Sequence, residues 1–326
     1  MISYLIRRVL YAIPILIGVN LLTFVLFFVV NTPDDMARAQ LGNKRVTHEA
    51  IELWKAARGY NKPLLYNENG EGIARITNTI FFEKSLRLFA FKFGYAEDGR
   101  DIGHEISMRM GPSLAIAVPV FGLGLYAAVT FALMLVFFRA TYLDFWGVVW
   151  CIVMMSISSL FYIIGGQYLV SKLWQLVPIS GFSATGIDAA KFLILPVVIG
   201  VISGVGGSAR WYRTIFLEEI NRDYVRTARA KGLSELTVLF RHVLKNAMLP
   251  ILTGVVVVIP SLFMGSLLLE SFFAIPGLGS YTIDAIRSED FAVVRAMVFL
   301  GSVLYIIGLL LTDISYTVVD PRVRLQ

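Results

Sequence analysis

Residues 110–138 read MGPSLAIAVPVFGLGLYAAVTFALMLVFF, without a single charged side chain. A helix needs roughly 20 predominantly apolar residues to cross the hydrocarbon core of a bilayer, and this stretch suffices on its own. Working outward, comparable charge-free runs lie at Val9 to Pro33, Phe145 to Ser171, Phe192 to Ala209, Asn246 to Leu269 and Ala296 to Thr312. The last reaches span length by continuing past Asp313 to Val319. The 326-residue chain is 57% hydrophobic and only 16% charged, whereas soluble domains carry about a quarter charged residues. One soluble core could not hide six such segments. The expected architecture is therefore an all-α membrane protein with six transmembrane helices, at residues 9–30, 111–138, 145–170, 192–207, 249–272 and 295–318. Pro14 falls in the first turns of the first span. Pro112 opens the second, and Pro119 is expected to kink it.

Arg7 and Arg8 before an apolar run resemble a secretory leader, but the run is too long and Asn31-Thr32-Pro33-Asp34 is no small-residue cleavage site. A retained first span is expected. Basic residues then set the orientation, because short cytoplasmic loops are rich in Lys and Arg. Arg7 and Arg8, Arg139, the group Arg210, Arg213, Arg222, Arg226, Arg229, Lys231, Arg241 and Lys245, and finally Arg322 and Arg324 all fall on one side of a six-span chain. That side is taken as cytoplasmic, with both termini there. Residues 33–109 form an external insertion, and residues 208–248 a cytoplasmic loop.

Within the insertion, Thr47 to Arg58 reads as a short amphipathic helix, capped by Thr47, stopped by Gly59, with Ala50, Ile51, Trp54 and Ala57 on one face. Ile76 to Phe93 suits either the membrane surface or a helix packed on the spans. Asn67 to Gly72 is a turn-rich break. Gly204, Gly206 and Gly207 read as close helix packing.

The most informative polar segment is DYVRTARAKGLSELTVLFRHVLKNAMLP, Asp223 to Pro250. Tyr224, Ala228 and Gly232 recur every four residues and share a helical face. Gly232 suits the left-handed position that ends a helix. Ser234 can cap a second helix through Leu244, with Leu236, Leu239, Phe240 and Val243 on one face. The physics alone leaves two readings open, a docking surface for another chain or a loop lying on lipid head groups.

This segment resembles the coupling loop of binding-protein-dependent ABC importer permeases, and TARAKGLSE followed by RHVLKNAMLP resembles the dipeptide and oligopeptide permease family. The resemblance covers nearly the whole chain. It includes Tyr4 to Arg8 with Ile13-Pro14, Phe93-Gly94, Gly99-Arg100, Arg109 to Pro112, Val177 to Gly181, Glu270 to Phe273, Ile275 to Gly279 and Asp320 to Arg324. It is weakest over Asp34 to Phe91. Ala228 and Gly232 match the alanine and glycine of the loop, while Thr227 and Arg226 stand where other subfamilies carry alanine and glutamate. What the resemblance implies is a type I ABC importer permease fold, with Tyr224, Arg226, Thr227, Ala228, Lys231, Gly232, Leu233 and Ser234 contacting an ATPase. It further implies a second homologous permease, two ABC ATPase subunits that bind ATP and Mg, and a periplasmic or lipid-anchored solute-binding protein. The setting implied is a bacterial inner membrane. Peptides are the expected solute, with nickel complexes, glutathione-like compounds or peptide antibiotics as alternatives.

Pro276-Gly277-Leu278-Gly279 permits a tight turn that can dip into a bundle. The resemblance implies a scoop-like loop, and a plain surface turn is the alternative. Glu270 closes the fifth span and Asp313 lies within the sixth, where a charge costs roughly 2.5–3.5 kcal/mol unless paired or wetted. A structural hydrogen bond is the favoured role for Asp313 over a proton relay.

Other chemistries find no support. His48, His104 and His242 are scattered, Cys151 is the single cysteine, and no zinc spacing, phosphate-binding GxxxxGK[ST] loop or Gly-x-Ser-x-Gly elbow occurs. No enzymatic activity and no cofactor are expected in the chain itself, nor any nucleic-acid partner. A secondary transporter would need several inward-facing ionisable groups, and only Asp313 offers one.

Overall fold

The computed structural model describes residues 2–42, 46–68, 71–183 and 186–319. The terminal Asp320 to Arg324 segment, and Asn69 and Gly70 of the expected turn, lie outside the described residues. Among those described there is no strand, only an isolated bridge between Tyr95 and Asp101. The helices, in chain order, are α1 Ile2–Val25, α2 Pro33–Leu41, α3 His48–Arg58, α4 Ala74–Thr77, α5 Ile102–Phe137, α6 Tyr142–Ser156, α7 Ser159–Gly166, α8 Gly186–Ile220, α9 Asp223–Ala230, α10 Glu235–Thr237, α11 Leu244–Ser261, α12 Leu267–Phe272, α13 Leu278–Arg287 and α14 Phe291–Val319.

Five helical stretches are long and apolar enough to cross a membrane: Ile6–Val30, Ile102–Phe137, Ala189–Ile220, Glu235–Phe272 and Phe291–Ser315. A sixth, Tyr142–Ser156 plus Ser159–Leu173, is bent by 86°. The third expected span is thus broken rather than straight. Ile157 adopts extended backbone where the helix stops. Serines cluster there, and their hydroxyls compete with helical hydrogen bonding. The Met154 carbonyl, orphaned by the break, accepts a hydrogen bond of 2.8 Å from the Tyr162 hydroxyl. The other helices outrun their charge-free cores. α5 begins at Ile102 and runs through Pro112 and Pro119, and α8 carries Arg210 and Arg213 as helical residues.

The described residues form two compact units. Residues 2–109 and 281–310 make the first. Its core joins Phe24 and Phe28 of the first span and its π-helical end to Met36, Ala37, Ile51, Trp54, Tyr60 and Ile80. The insertion is thereby folded onto the first span. Thr47 caps α3 and Gly59 ends it in the left-handed conformation; Ile51 and Trp54 are buried, whereas Ala57 is exposed. Ile76 to Phe93 is no single helix. It breaks into the end of α4, a π turn at Phe81–Ser85 and a 3-10 turn at Leu86–Ala90, with Ile80 and Leu88 buried. Asn20, buried in α1, donates to the Ser85 carbonyl at 3.1 Å.

Residues 110–280 and 311–319 make the second unit. α6 and α8 meet closely, for a Cβ at Gly206 would come within 2.8 Å of the Cys151 carbonyl oxygen. Nothing lies within 4 Å of such a Cβ at Gly204 or Gly207, so only Gly206 marks close helix packing. Arg213 of α8 and Asp144 of α6 form a bidentate pair at 2.8 and 2.7 Å.

Candidate functional site

Two constructions in the second unit gather the residues singled out in the sequence. The first is α9, the turn after it, and α10. Arg222 precedes α9 with extended backbone. The helix ends in a Schellman motif: Gly232 N–H donates to the Arg229 carbonyl at 2.9 Å and Leu233 N–H to the Ala228 carbonyl at 3.3 Å. Gly232 sits at φ +79°, a conformation that costs an L-residue about 1–2 kcal/mol. Ser234 then caps the next helix, its hydroxyl accepting from Thr237 N–H. That second helix does not stop at Leu244. It passes through a π-helical stretch, Val238–Val243, and continues as α11. A π turn holds an extra residue, which rotates the side chains from an α-helical register. Val238, Leu239 and Val243 are buried, whereas Leu236 and Phe240 stay exposed.

Val225 and Ala228 of α9 are buried in the same core as Val238, Leu239, Val243 and Ile251. The small side chain of Ala228 therefore serves close approach within the chain itself. Arg229 bridges to Glu235 at 2.7 Å, tying α9 to α10. A cavity of about 440 Å³ opens on this element, lined by Tyr224, Thr227, Ala228, Lys231, Leu233, Arg241 and His242. Five of the eight predicted residues line it. Arg226 instead points to solvent beside Asp223, while Gly232 and Ser234 shape the backbone. Arg241 and His242 were not singled out, because the α-helical register places them off the expected face. Tyr224 donates to Glu219 at 2.5 Å. Burial first, and this carboxylate second, push the Tyr224 hydroxyl up to about 12.

The second construction surrounds Glu270. Its carboxylate is fully buried and accepts from Ser266 N–H at 3.0 Å and from Ser280 N–H at 3.0 Å. The Ser113 hydroxyl also hydrogen-bonds the carboxylate, and Ser113 Oγ accepts from Leu278 N–H at 2.7 Å. A Cβ at Gly265 or at Gly277 would overlap the Glu270 carboxylate, and one at Gly279 would meet Ser266 backbone at 2.7 Å. The Pro276 to Gly279 segment is thus no plain surface turn. Pro276 is exposed, but Gly277, Leu278 and Gly279 are buried around the acid. The glycines are needed because carboxylate and backbone meet without room for side chains. Asp313 is half-buried in α14 and is not part of this group. Beside the nest, Gly265, Ser266 and Leu269 help line a mainly apolar cavity of about 620 Å³ with Ile116, Val120 and Ile199.

Neither construction assembles a nucleophile with a base, and among the described residues no group of His, Cys, Asp and Glu could hold a metal ion. The first is a packed, partly basic surface element, and the second a hydrogen-bonded turn at the end of a span.

Comparison with known proteins covers the full length. Residues 108–325 match the model of "Binding-protein-dependent transport system inner membrane component", and residues 1–79 match that of the N-terminal part of such membrane components. The chain is 31% identical over 359 residues to the di/tripeptide transport system permease protein DppB of Pseudomonas aeruginosa, covering 100% of both. It is 28% identical to the oligopeptide transport system permease protein AppB of Bacillus subtilis, covering 99% of this chain and 100% of that one. It is also 29% identical to the dipeptide transport system permease protein DppB of Escherichia coli K12, covering 99% of each.

Proposed function

The chain belongs to the family of binding-protein-dependent transport system inner membrane components, and on that premise we propose that it is a permease subunit of an ATP-driven importer of di- and oligopeptides. The observation that carries the solute class is the end-to-end similarity to three permeases named for peptides. In this reading a second, homologous permease completes the pathway, two ABC ATPase subunits bind ATP and Mg and hydrolyse the ATP, and a solute-binding protein delivers peptide from outside. Both termini and the α9–α10 element face the cytoplasm.

The mechanism follows from the continuity of α10 with α11. An ATPase gripping the cavity beside Tyr224, Lys231 and Leu233 would push on a helical run that starts at Glu235, continues to Met264, breaks at Gly265 and Ser266, and resumes as α12 to Phe272. That stretch ends at the Glu270 nest. Motion at the α9–α10 end is thereby linked to the turn at Pro276 to Gly279 and to the apolar cavity beside Ser266. The buried pairing of α9 with the α11 side of the core makes the element move as one body.

The test is co-purification from mild detergent followed by ATPase assay in lipid. The tagged chain is expected to bring down a second permease and an ABC ATPase, and ATP hydrolysis should rise when a cognate binding protein loaded with peptide is added. A chain that emerges alone, folded and able to transport without ATP would overturn the reading.

A further inference from the structure

The first unit holds a cavity of about 410 Å³ that the import reading does not use, with Arg58, Tyr60, Lys84, Arg87, Lys92 and Arg295 on its walls. Its acids are already engaged. Glu83 pairs with Lys62 at 2.5 Å, and Glu97 with Arg58. Asp290, buried nearby, spends its oxygens on backbone, accepting from Glu97 N–H at 2.8 Å and Val293 N–H at 3.1 Å. Lys84, Arg87, Lys92 and Arg295 are left without an ion-pair partner among the described residues. Arg295 is only 5% exposed. Its Nε donates to the Phe291 carbonyl at 3.3 Å and its guanidinium lies 4.7 Å from the Phe28 ring centre, yet its Nη1 is buried with no hydrogen-bond partner. A buried guanidinium donor left unmade is costly, and the four cations, whose charges Glu83 and Asp290 offset only in part, repel one another and favour an anion between them. Burial and the Arg295 charge together hold the Lys84 ammonium below its usual range.

We infer that this cavity is a binding site for a small organic carboxylate, held by Arg295 and Lys84 with Arg87 and Lys92 at the rim. A guanidinium receives a carboxylate through parallel hydrogen bonds. A carbon-bodied anion fits better than an inorganic one, because Ala57, Phe93, Ala96 and Ala292 supply apolar wall beside the cations.

The full chain in an uncharged detergent would be titrated calorimetrically with succinate, its neutral analogue succinamide, and inorganic phosphate, at constant ionic strength set with sodium chloride. Succinate should bind at one equivalent and succinamide should not. Arg295→Met should weaken binding by about tenfold or more, the scale of one charge-assisted contact. Arg87→Ala and Lys92→Ala, both at exposed positions, should each weaken it severalfold and keep the proposal testable if Arg295→Met does not fold. No succinate binding at 10 mM, equal binding of succinamide, tighter binding of phosphate than succinate, or affinity unchanged in both rim variants would each overturn it. The measurement needs no ATPase, second permease or binding protein, so its result stands apart from the import reading.

Discussion

Glu270 is the residue on which most local structure depends. Its two oxygens receive Ser266 and Ser280 N–H groups in a fully buried setting, where leaving a donor unsatisfied costs about 1–3 kcal/mol. Glu270→Gln puts an amide donor against one of these N–H groups and should destabilise the protein by about 2–3 kcal/mol, read as a lower thermal midpoint in detergent. Gly277→Ala should act in the same direction by collision with the carboxylate, whereas Gly18→Ala, with nothing within 4 Å, should not. A Glu270→Gln protein as stable as the parent would show that these hydrogen bonds do not hold the turn. Tyr224 offers a pH test. Its folded value, about 12, lies above the ordinary 10. Its contribution is therefore fully present below about 10 and lost as pH rises through about 12. Tyr224→Phe should remove that alkaline loss of stability, checked by unfolding midpoints between pH 9 and 12.

At the scale of elements, the Asp144–Arg213 pair fastens α6 to α8. Asp144 is 7% exposed, and breaking a buried pair costs about 3–5 kcal/mol, while replacing both partners with apolar residues is often neutral. Asp144→Asn should thus be strongly destabilising, and Asp144→Leu with Arg213→Met should regain most of the loss in the same unfolding assay. This pair was not legible in the sequence, because its members are far apart in the chain and Arg213 read as a loop residue. Devices that depend on a few neighbouring residues were legible: Thr47 and Ser234 as caps, Gly59 and Gly232 as left-handed stops. The register of Val238–Val243 was not, since a π turn leaves no signature in apolar spacing. The break at Ile157 was equally hidden, for no proline or glycine marks it and its Met154 carbonyl is satisfied by Tyr162 across the gap.

For the molecule as a whole, the apolar stretches were enough to foresee helices of span length, because the bilayer constraint acts on length and composition alone. Leu22 and Val30 of the first span, at 65% and 69% exposed, are surfaces for lipid or a partner subunit rather than for water. The composition of the insertion did not foretell a folded unit, since its core is completed by Phe24 and Phe28 from the span. The Glu270 nest was half visible: the acid and the glycines stood out separately, and only folding brings Ser113 to them.

In the importer we propose, α9 and α10 form the contact through which an ATPase drives the spans. Ala228 is buried at 4% exposure, but Lys231 and Leu233 are open on the cavity rim. Cys151, the chain's single cysteine, is fully buried, so a thiol introduced at Lys231→Cys would be the accessible one. The decisive measurement is crosslinking from that thiol in the assembled, ATP-hydrolysing complex. A crosslink to the ATPase subunit is expected, with a yield that changes with bound nucleotide; an active complex that forms none from Lys231→Cys or Leu233→Cys overturns the docking role of α9 and α10.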